Sequence, residues 1–319
     1  MITPHRPPRV LCLTMNPSVD LATDTEQVVP THKLRCGETL HDAGGGGVNV
    51  ARVLTRLGGD CTSFCPTGGP SGHWLELRMR EEGLDCAFLP IADETRVSFT
   101  VHEQSTGAEF RFVMPGPHLS EAEWTACLEH LQGLSDFPDL IVASGSLPPG
   151  VPSDFYARVA RLCRQRGGKL LLDASGPALA EALAEGVFLF KPNLKELGQL
   201  VGRTLDTPAQ WQAAAQQLVD QGKTEVVALT LGHLGALLVT ADAQWFSPPL
   251  EMTVSSAVGA GDSFVGGLVW AWQQGMPWDQ AFAWGVAAGS AALLSVGTGL
   301  AHPGDVRRLL AQVEVRPVS

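Results

Sequence analysis

Short apolar runs recur along the chain, each closed by a glycine-containing turn and followed by a helical pattern. Residues 10–15, 61–65, 140–144, 170–173, 187–191 and 226–230 are too short for helices and apolar on both faces, so they predict buried strands. Between them, residues 48–57, 121–134, 154–166 and 208–221 repeat apolar positions at helical spacing. Strands buried on both faces and alternating with helices predict a parallel sheet covered on both sides. Ligands of such sheets bind beyond the carboxyl ends of the strands, so chemistry is expected just after each strand.

One stretch breaks this rhythm. Residues 96–103 alternate, with Val97, Phe99 and Val101 on one face. Thr106-Gly107 reads as a two-residue turn before Phe110 and Phe112 on a return strand. That register sets Val101 opposite Phe112 and His102 opposite Arg111, and places Arg96 on the face of Arg111. Residues 21–23 and 33–40 are expected to add strands. The expectation is one α/β chain, 1–319, with a β lid built from about 20–40 and 95–115.

Charge narrows the partners. With 22 Lys+Arg against 33 Asp+Glu the net charge is −11, and no basic run is present, which argues against a nucleic-acid partner. Residues 281–300 carry no charge, but Gly285, Gly289, Gly297 and Gly299 interrupt them and no Lys or Arg flanks them before Arg307. They predict a buried helix, not a membrane span. The short basic start, 1–9, does not read as a secretory signal. Seven scattered cysteines without a CxxC or CxxH pair predict free thiols in a reducing cytoplasm, and no zinc.

Three motifs carry candidate chemistry. Val258-Gly259-Ala260-Gly261-Asp262-Ser263 opens an apolar helix, whose free N–H groups and dipole form an anion hole. Asp262 there is a general base or a simple helix cap. Gly44-Gly45-Gly46-Gly47-Val48-Asn49 clears side chains from a ligand's path and offers Asn49 to hydroxyls, or is a flexible turn. Lys191-Pro192-Asn193-Leu194-Lys195-Glu196 puts an amide and a carboxylate three residues apart. That pair suits Mg²⁺, and it equally matches a capping box. Asp20 follows the first strand and reads as a sugar-hydroxyl ligand or an exposed turn acid. Ser144-Gly145-Ser146 lacks the hydrolase-elbow spacing and reads as a turn lining the cleft. Residues 231–236 are a nucleotide-side loop or a hairpin turn. No Walker A or G-x-G-x-x-G/A register fits, which disfavours a nicotinamide-dependent oxidoreductase.

In this order the glycine run with Asn49, the Asn193–Glu196 element and the Gly259-Ala260-Gly261-Asp262 loop resemble the ribokinase-like sugar kinase family, in its phosphofructokinase-B branch. Further matching stretches are Lys33-Leu34-Arg35-Cys36, Arg111-Phe112-Val113-Met114-Pro115-Gly116, residues 144–151 and residues 285–292. The likeness spans about residues 10–313. It implies a three-layer αβα domain with a mainly parallel sheet and a β lid that often mediates dimerisation. It also implies ATP, Mg²⁺ and a phosphorylated ketohexose, with phosphate transferred to the C1 hydroxyl of fructose-6-phosphate.

By the family's pattern Asp262 is the base and Gly259, Ala260 and Gly261 form the anion hole. Asp20, Gly45, Gly46 and Asn49 hold sugar hydroxyls, with Ser144 on the substrate side. Lys33, Arg96 and Arg111 hold the substrate phosphate. Lys191, Asn193, Thr230, Gly232 and Gly235 lie on the ATP side, and Asn193 and Glu196 organise Mg²⁺. Ala257, commonly Thr in relatives, and Gly299, where a close relative has Arg, weigh against the K⁺ site that many relatives carry. Kinases for fructose-1-phosphate and tagatose-6-phosphate usually have Gly-Gly-Lys-Gly where this chain has Gly44 to Gly47, which puts those acceptors second. A non-catalytic sugar-phosphate sensor is disfavoured by the presence of Asp262.

Overall fold

In a computed structural model, residues 6–295 and 297–318 are described; the first five residues and Val296, parts of the segments 1–9 and 281–300 read above, lie outside them. The chain runs β1 (Val10–Leu13), β2 (Ser18–Thr25), β3 (Leu40–Gly44), α1 (Gly46–Arg56), β4 (Cys61–Thr67), α2 (Gly69–Glu81) and β5 (Asp85–Pro90). It continues β6 (Arg96–Glu103), β7 (Glu109–Phe112), α3 (Glu121–Gly133), β8 (Leu140–Ser144), α4 (Phe155–Arg166), β9 (Lys169–Asp173), α5 (Gly176–Glu185) and β10 (Val187–Phe190). Then come α6 (Leu194–Val201), α7 (Pro208–Asp220), β11 (Thr224–Thr230), β12 (Ala236–Val239), β13 (Gln244–Ser247), α8 (Ala260–Gln273), α9 (Trp278–Ala292), α10 (Pro303–Leu310) and β14 (Arg316–Pro317).

The large sheet has the order β14-β13-β12-β11-β10-β9-β8-β1-β4-β5. It is parallel from β11 to β5, and β12, β13 and β14 add an antiparallel edge. Its continuous apolar strands divide alternate residues between two layers. Leu11, Leu13, Ile141 and Ala143 pack with α3, α4, α5 and α7. Val10, Cys12, Leu140 and Val142 pack with α1, α2, α8 and α9. This is the three-layer arrangement expected when both faces of a parallel sheet are buried. The uncharged 281–300 segment contributes α9, whose buried alanines face α1 and α10. Among the described residues no helix is long and apolar enough to cross a membrane. All seven cysteines are free thiols.

A separate four-stranded sheet has the order β3-β2-β6-β7, with β2 and β6 parallel. Two expectations are corrected here. Thr106-Gly107 is not a two-residue turn: Glu103 N–H donates to Ala108 O, and Gly107 at φ 73 closes a longer loop. Phe112 therefore sits opposite Phe99 and Arg111 opposite Thr100. The register moves by two residues, an even slip, so every side chain keeps its face and Arg96 still shares one with Arg111. Residues 33–39 form no strand; β3 begins at Leu40 and ends inside the glycine run at Gly44.

Candidate active site

The carboxyl ends of the central strands converge on one region. Ser144 closes β8, Asp173 closes β9, Lys191 follows β10 and Thr230 closes β11. Over them stands the N-terminus of α8. Gly259 caps it in the left-handed region, φ 73, which strains any residue with a side chain, and a Cβ there would also press on Leu300 Cδ2 at 2.5 Å. The N–H groups of Gly261 and Asp262 meet no acceptor among the described residues and point out of the helix end.

Asp262 is held from two sides. Asn49 Nδ2 donates to its Oδ2 at 2.9 Å and Ser144 Oγ to its Oδ1 at 3.4 Å. Burial pushes its carboxyl up to about 7, helped by the charge of Asp173 and opposed by Asn49, Lys191 and Ser144. Asp262 is not the helix cap: Gly259 is, and no side chain caps the helix, which leaves the Asp262 carboxyl available as a base. Lys191 is buried, with Nζ 3.2 Å from Asp173 Oδ1. Burial favours its neutral form, but the charges of Asp173, Glu196 and Asp262 outweigh this and hold it above the usual lysine value.

On the other side of Asp262 a cavity of about 170 Å³ opens beneath the small sheet. Asp20, Gly45, Gly46, Asn49, Arg96, Arg111, Gly259 and Asp262, all selected from the sequence, line it. Ser18 Oγ donates to Asp20 Oδ1 at 2.6 Å. Burial raises the Asp20 carboxyl, against the pull of Arg96, Arg111 and Arg52. Arg111 is exposed and makes no ion pair among the described residues. Arg96 differs. Its guanidinium donates to Met114 O and Asn16 O, both at 2.9 Å, and to Pro17 O at 3.4 Å. Three of its five N–H groups thus fasten loops, and two remain for a ligand.

Other sequence choices are placed differently. Lys33 lies on the exposed loop between β2 and β3, outside the cavity lining. Ser144 is buried behind Asp262 and does not line the cavity. The four glycines were expected to clear space for a ligand. Gly45 and Gly46 do face the cavity, but a Cβ on Gly44 would strike Asp20, and one on Gly47 would come within 2.5 Å of Leu13 O. Close packing holds all four, since a Cβ on Gly46 would come within 2.2 Å of Ser144 Oγ and one on Gly45 within 2.7 Å of Thr14 Cγ2. Asn193 and Glu196 form the capping box: Glu196 N–H donates to Asn193 Oδ1 at 2.9 Å and Asn193 N–H to Glu196 Oε2 at 2.8 Å. Glu196 keeps its other oxygen free of that pairing. Residues 231–235 are the hairpin between β11 and β12, and a Cβ on Gly235 would lie 2.2 Å from Ser247 O. Thr230 donates its hydroxyl to Pro192 O at 3.3 Å and bridges to Asn193, which keeps both beside Lys191.

Three residues escaped the sequence reading. Asp173 terminates a predicted strand and was signalled only by that position. Ser98 alternates with Arg96, lines the cavity, and has a buried hydroxyl without a protein partner. Thr298 lines the cavity from the loop after α9, a stretch that the family resemblance marked only as part of a K⁺ site.

The sequence profile of pfkB family carbohydrate kinases matches residues 13–304. The chain belongs to that family. This pfkB-family chain is 44% identical over 301 residues to an ATP-dependent 6-phosphofructokinase isozyme 2 of Mycobacterium tuberculosis, covering 94% of this chain and 88% of that one. It is 33% identical to a 1-phosphofructokinase of Bacillus subtilis, covering 96% and 99%. The crystal structure of Escherichia coli phosphofructokinase-2 in complex with fructose-6-phosphate superposes with a TM-score of 0.90 at 38% identity, covering 96% and 99%. The same E. coli protein has been solved in complex with potassium and in a tetrameric inhibited form.

Proposed function

We propose that this pfkB-family kinase transfers the γ-phosphate of ATP to the C1 hydroxyl of fructose-6-phosphate, giving fructose-1,6-bisphosphate and ADP. The observation that carries the reading is the position of Asp262. Its carboxylate, poised near neutral pH, lies between a cavity bearing Asp20 and Arg111 and the strip formed by Lys191, Asn193 and Thr230.

In this mechanism Asp262 takes the proton of the C1 hydroxyl as that oxygen bonds to the γ-phosphorus in line with the departing ADP oxygen. The Gly261 and Asp262 N–H groups and Lys191 face the charge that develops on the transferring phosphoryl group. Asn49 and Ser144 each donate to one oxygen of the carboxylate and so fix its orientation at the cavity. Asp20 and the backbone at Gly45 and Gly46 take sugar hydroxyls, and Arg111 with the two free N–H groups of Arg96 takes the 6-phosphate. Lys33 reaches that phosphate from a second subunit.

Three carboxylates, Asp173, Glu196 and Asp262, act on Lys191, so hard oxygen donors gather on the nucleotide side. That set fits Mg²⁺ held largely through its own waters, with Asn193 and Glu196 nearest to it. When bound, Mg²⁺ neutralises phosphate charge and orients the γ-phosphate. Ala257 and Gly299 lack the side chains that relatives carry there, which weighs against a K⁺ site beside the anion hole.

The small sheet acts as a lid and as a homodimer surface. It exposes Phe99 and Phe112, stacked 4.6 Å apart beside the cavity, an apolar patch that a second copy covers. The setting is cytoplasmic. A fructose-1-phosphate or tagatose-6-phosphate kinase is the second reading, supported by the 33% relative and opposed by Gly46 where those kinases usually carry lysine. ADP release measured with fructose-6-phosphate, fructose-1-phosphate, tagatose-6-phosphate and fructose tests the assignment. Fructose-6-phosphate is expected to give the highest kcat/KM; a higher value for another sugar overturns it.

A further inference from the structure

Arg52, on α1, is buried to 2% exposure, yet all three of its guanidinium nitrogens are engaged. Nη1 donates to Ala43 O at 2.8 Å, Nε to Glu82 Oε2 at 2.8 Å and Nη2 to Asp42 Oδ1 at 2.9 Å. The second oxygen of Asp42 accepts the hydroxyl of Thr298 at 2.6 Å. Asp42 therefore ties a strand of the small sheet, β3, to a helix of the core on one side and to the loop after α9 on the other. It stands directly opposite Asp20 in the β2–β3 pairing.

The loop that Thr298 belongs to is wedged between two parts of the site. Toward the small sheet, a Cβ on Gly297 would sit 2.9 Å from Ala22 Cβ on β2. Toward the anion hole, Leu300 packs on Gly259, and Ala301 N–H donates to Ser263 Oγ at 3.3 Å. Residues 297–301 thus touch the sheet that roofs the cavity and the turn that presents Asp262. A loop in that place holds one surface relative to the other only if it is itself fixed, and the Thr298–Asp42 hydrogen bond is its side-chain link to the sheet.

We propose that Asp42 and Thr298 are positioning residues: their hydrogen bond locks the small sheet to the 258–263 turn, so that sugar phosphate seated under the sheet meets Asp262 and the anion hole in register. Neither side chain takes part in the chemical step. The assignment rests on the kinase reading above. It predicts a defect chiefly in kcat, because misplacing the base relative to a bound sugar costs rate, whereas Thr298, although it lines the cavity, has its hydroxyl donated to Asp42.

Thr298→Val removes the hydroxyl and keeps the shape. It is expected to lower kcat about tenfold, the usual scale for one hydrogen bond to a charged group, with the KM for sugar phosphate within about twofold. Thr298→Ser restores kcat. Asp42→Ala combined with Thr298→Val is no slower than Asp42→Ala alone, because both remove one bond. A kcat unchanged in Thr298→Val, a failure of Thr298→Ser to rescue, a loss confined to KM, or additive effects in the double variant each overturn the proposal. Hydrogen exchange of the ligand-free proteins supplies a readout independent of turnover. Faster exchange at residues 258–263 in Thr298→Val supports the lock, and unchanged exchange refutes it. A wild type inactive on every sugar phosphate would sink the kinase reading, while the exchange comparison would still decide the lock.

Discussion

Removing the Asn49 amide tests how the fold sets the working pH of Asp262. Asn49 Nδ2 lies 2.9 Å from Asp262 Oδ2 and is the first of the contacts that hold the carboxyl down against burial and Asp173. A hydrogen bond to a charged group is worth roughly 1.5–3 kcal/mol, and a pKa unit corresponds to about 1.4 kcal/mol. Asn49→Leu keeps the branched shape without a donor. Its Asp262 is expected to titrate about one to two units higher, near 8–9, instead of about 7. The base works ionised, so activity rises with pH through its pKa. At pH 7 the ionised share falls from about one half to about a tenth or less. The assay is kcat/KM for fructose-6-phosphate from about pH 5 to about pH 10, which reports the free enzyme's essential groups. Asn49 also lines the cavity, so its loss is expected to lower the plateau as well, but the position of the acid limb is independent of its height. A limb that stays at the wild-type position, whatever the plateau, refutes the reasoning.

Asp262→Asn is expected to cut turnover by roughly 10²–10⁴ while ATP affinity, read by calorimetry, stays near wild type. Asp173→Asn removes the neighbouring charge that raises Asp262, so the acid limb of the pH profile moves below about 7; a limb moving upward contradicts this electrostatic account. Arg111→Ala lowers kcat/KM for fructose-6-phosphate by about one to two decades, leaves ATP binding alone and leaves the melting temperature unchanged. Arg96→Ala, which frees Asn16, Pro17 and Met114 carbonyls, weakens the same sugar and also lowers the melting temperature in a thermal scan.

The core was readable because its strands are apolar on both faces and end in turns, so position after a strand located Ser144, Lys191 and Asn193. The register of β6 against β7 was not, since a hairpin loop is fixed by φ at Gly107 and not by composition. Parity survived the slip, which is why Arg96 and Arg111 were still found together. What could not be read was whether a polar side chain was already engaged. Arg96 and Arg111 look alike in a sequence, and only coordinates show three donors of the first held by carbonyl oxygens. The Asn193–Glu196 pair was legible as both a capping box and a metal element, and its reciprocal hydrogen bonds account for the first while leaving room for the second. Thr298 and Ser98 gained meaning from a cavity assembled by distant segments, which no local pattern encodes.

The parallel pairing of β2 with β6 has a consequence for how the molecule comes into being. Ser18 meets Arg96 across β3, α1, β4, α2 and β5, and closing so long an excursion repays its entropy only once the intervening elements are docked. A ribosome that has released the chain up to residue 95 has delivered Asn49 and the glycine turn. It leaves β2 paired with β3 alone, its other edge bare. The cover of the cavity is therefore built after the walls, and a chain truncated before β6 carries an exposed strand edge where the finished protein encloses that cavity.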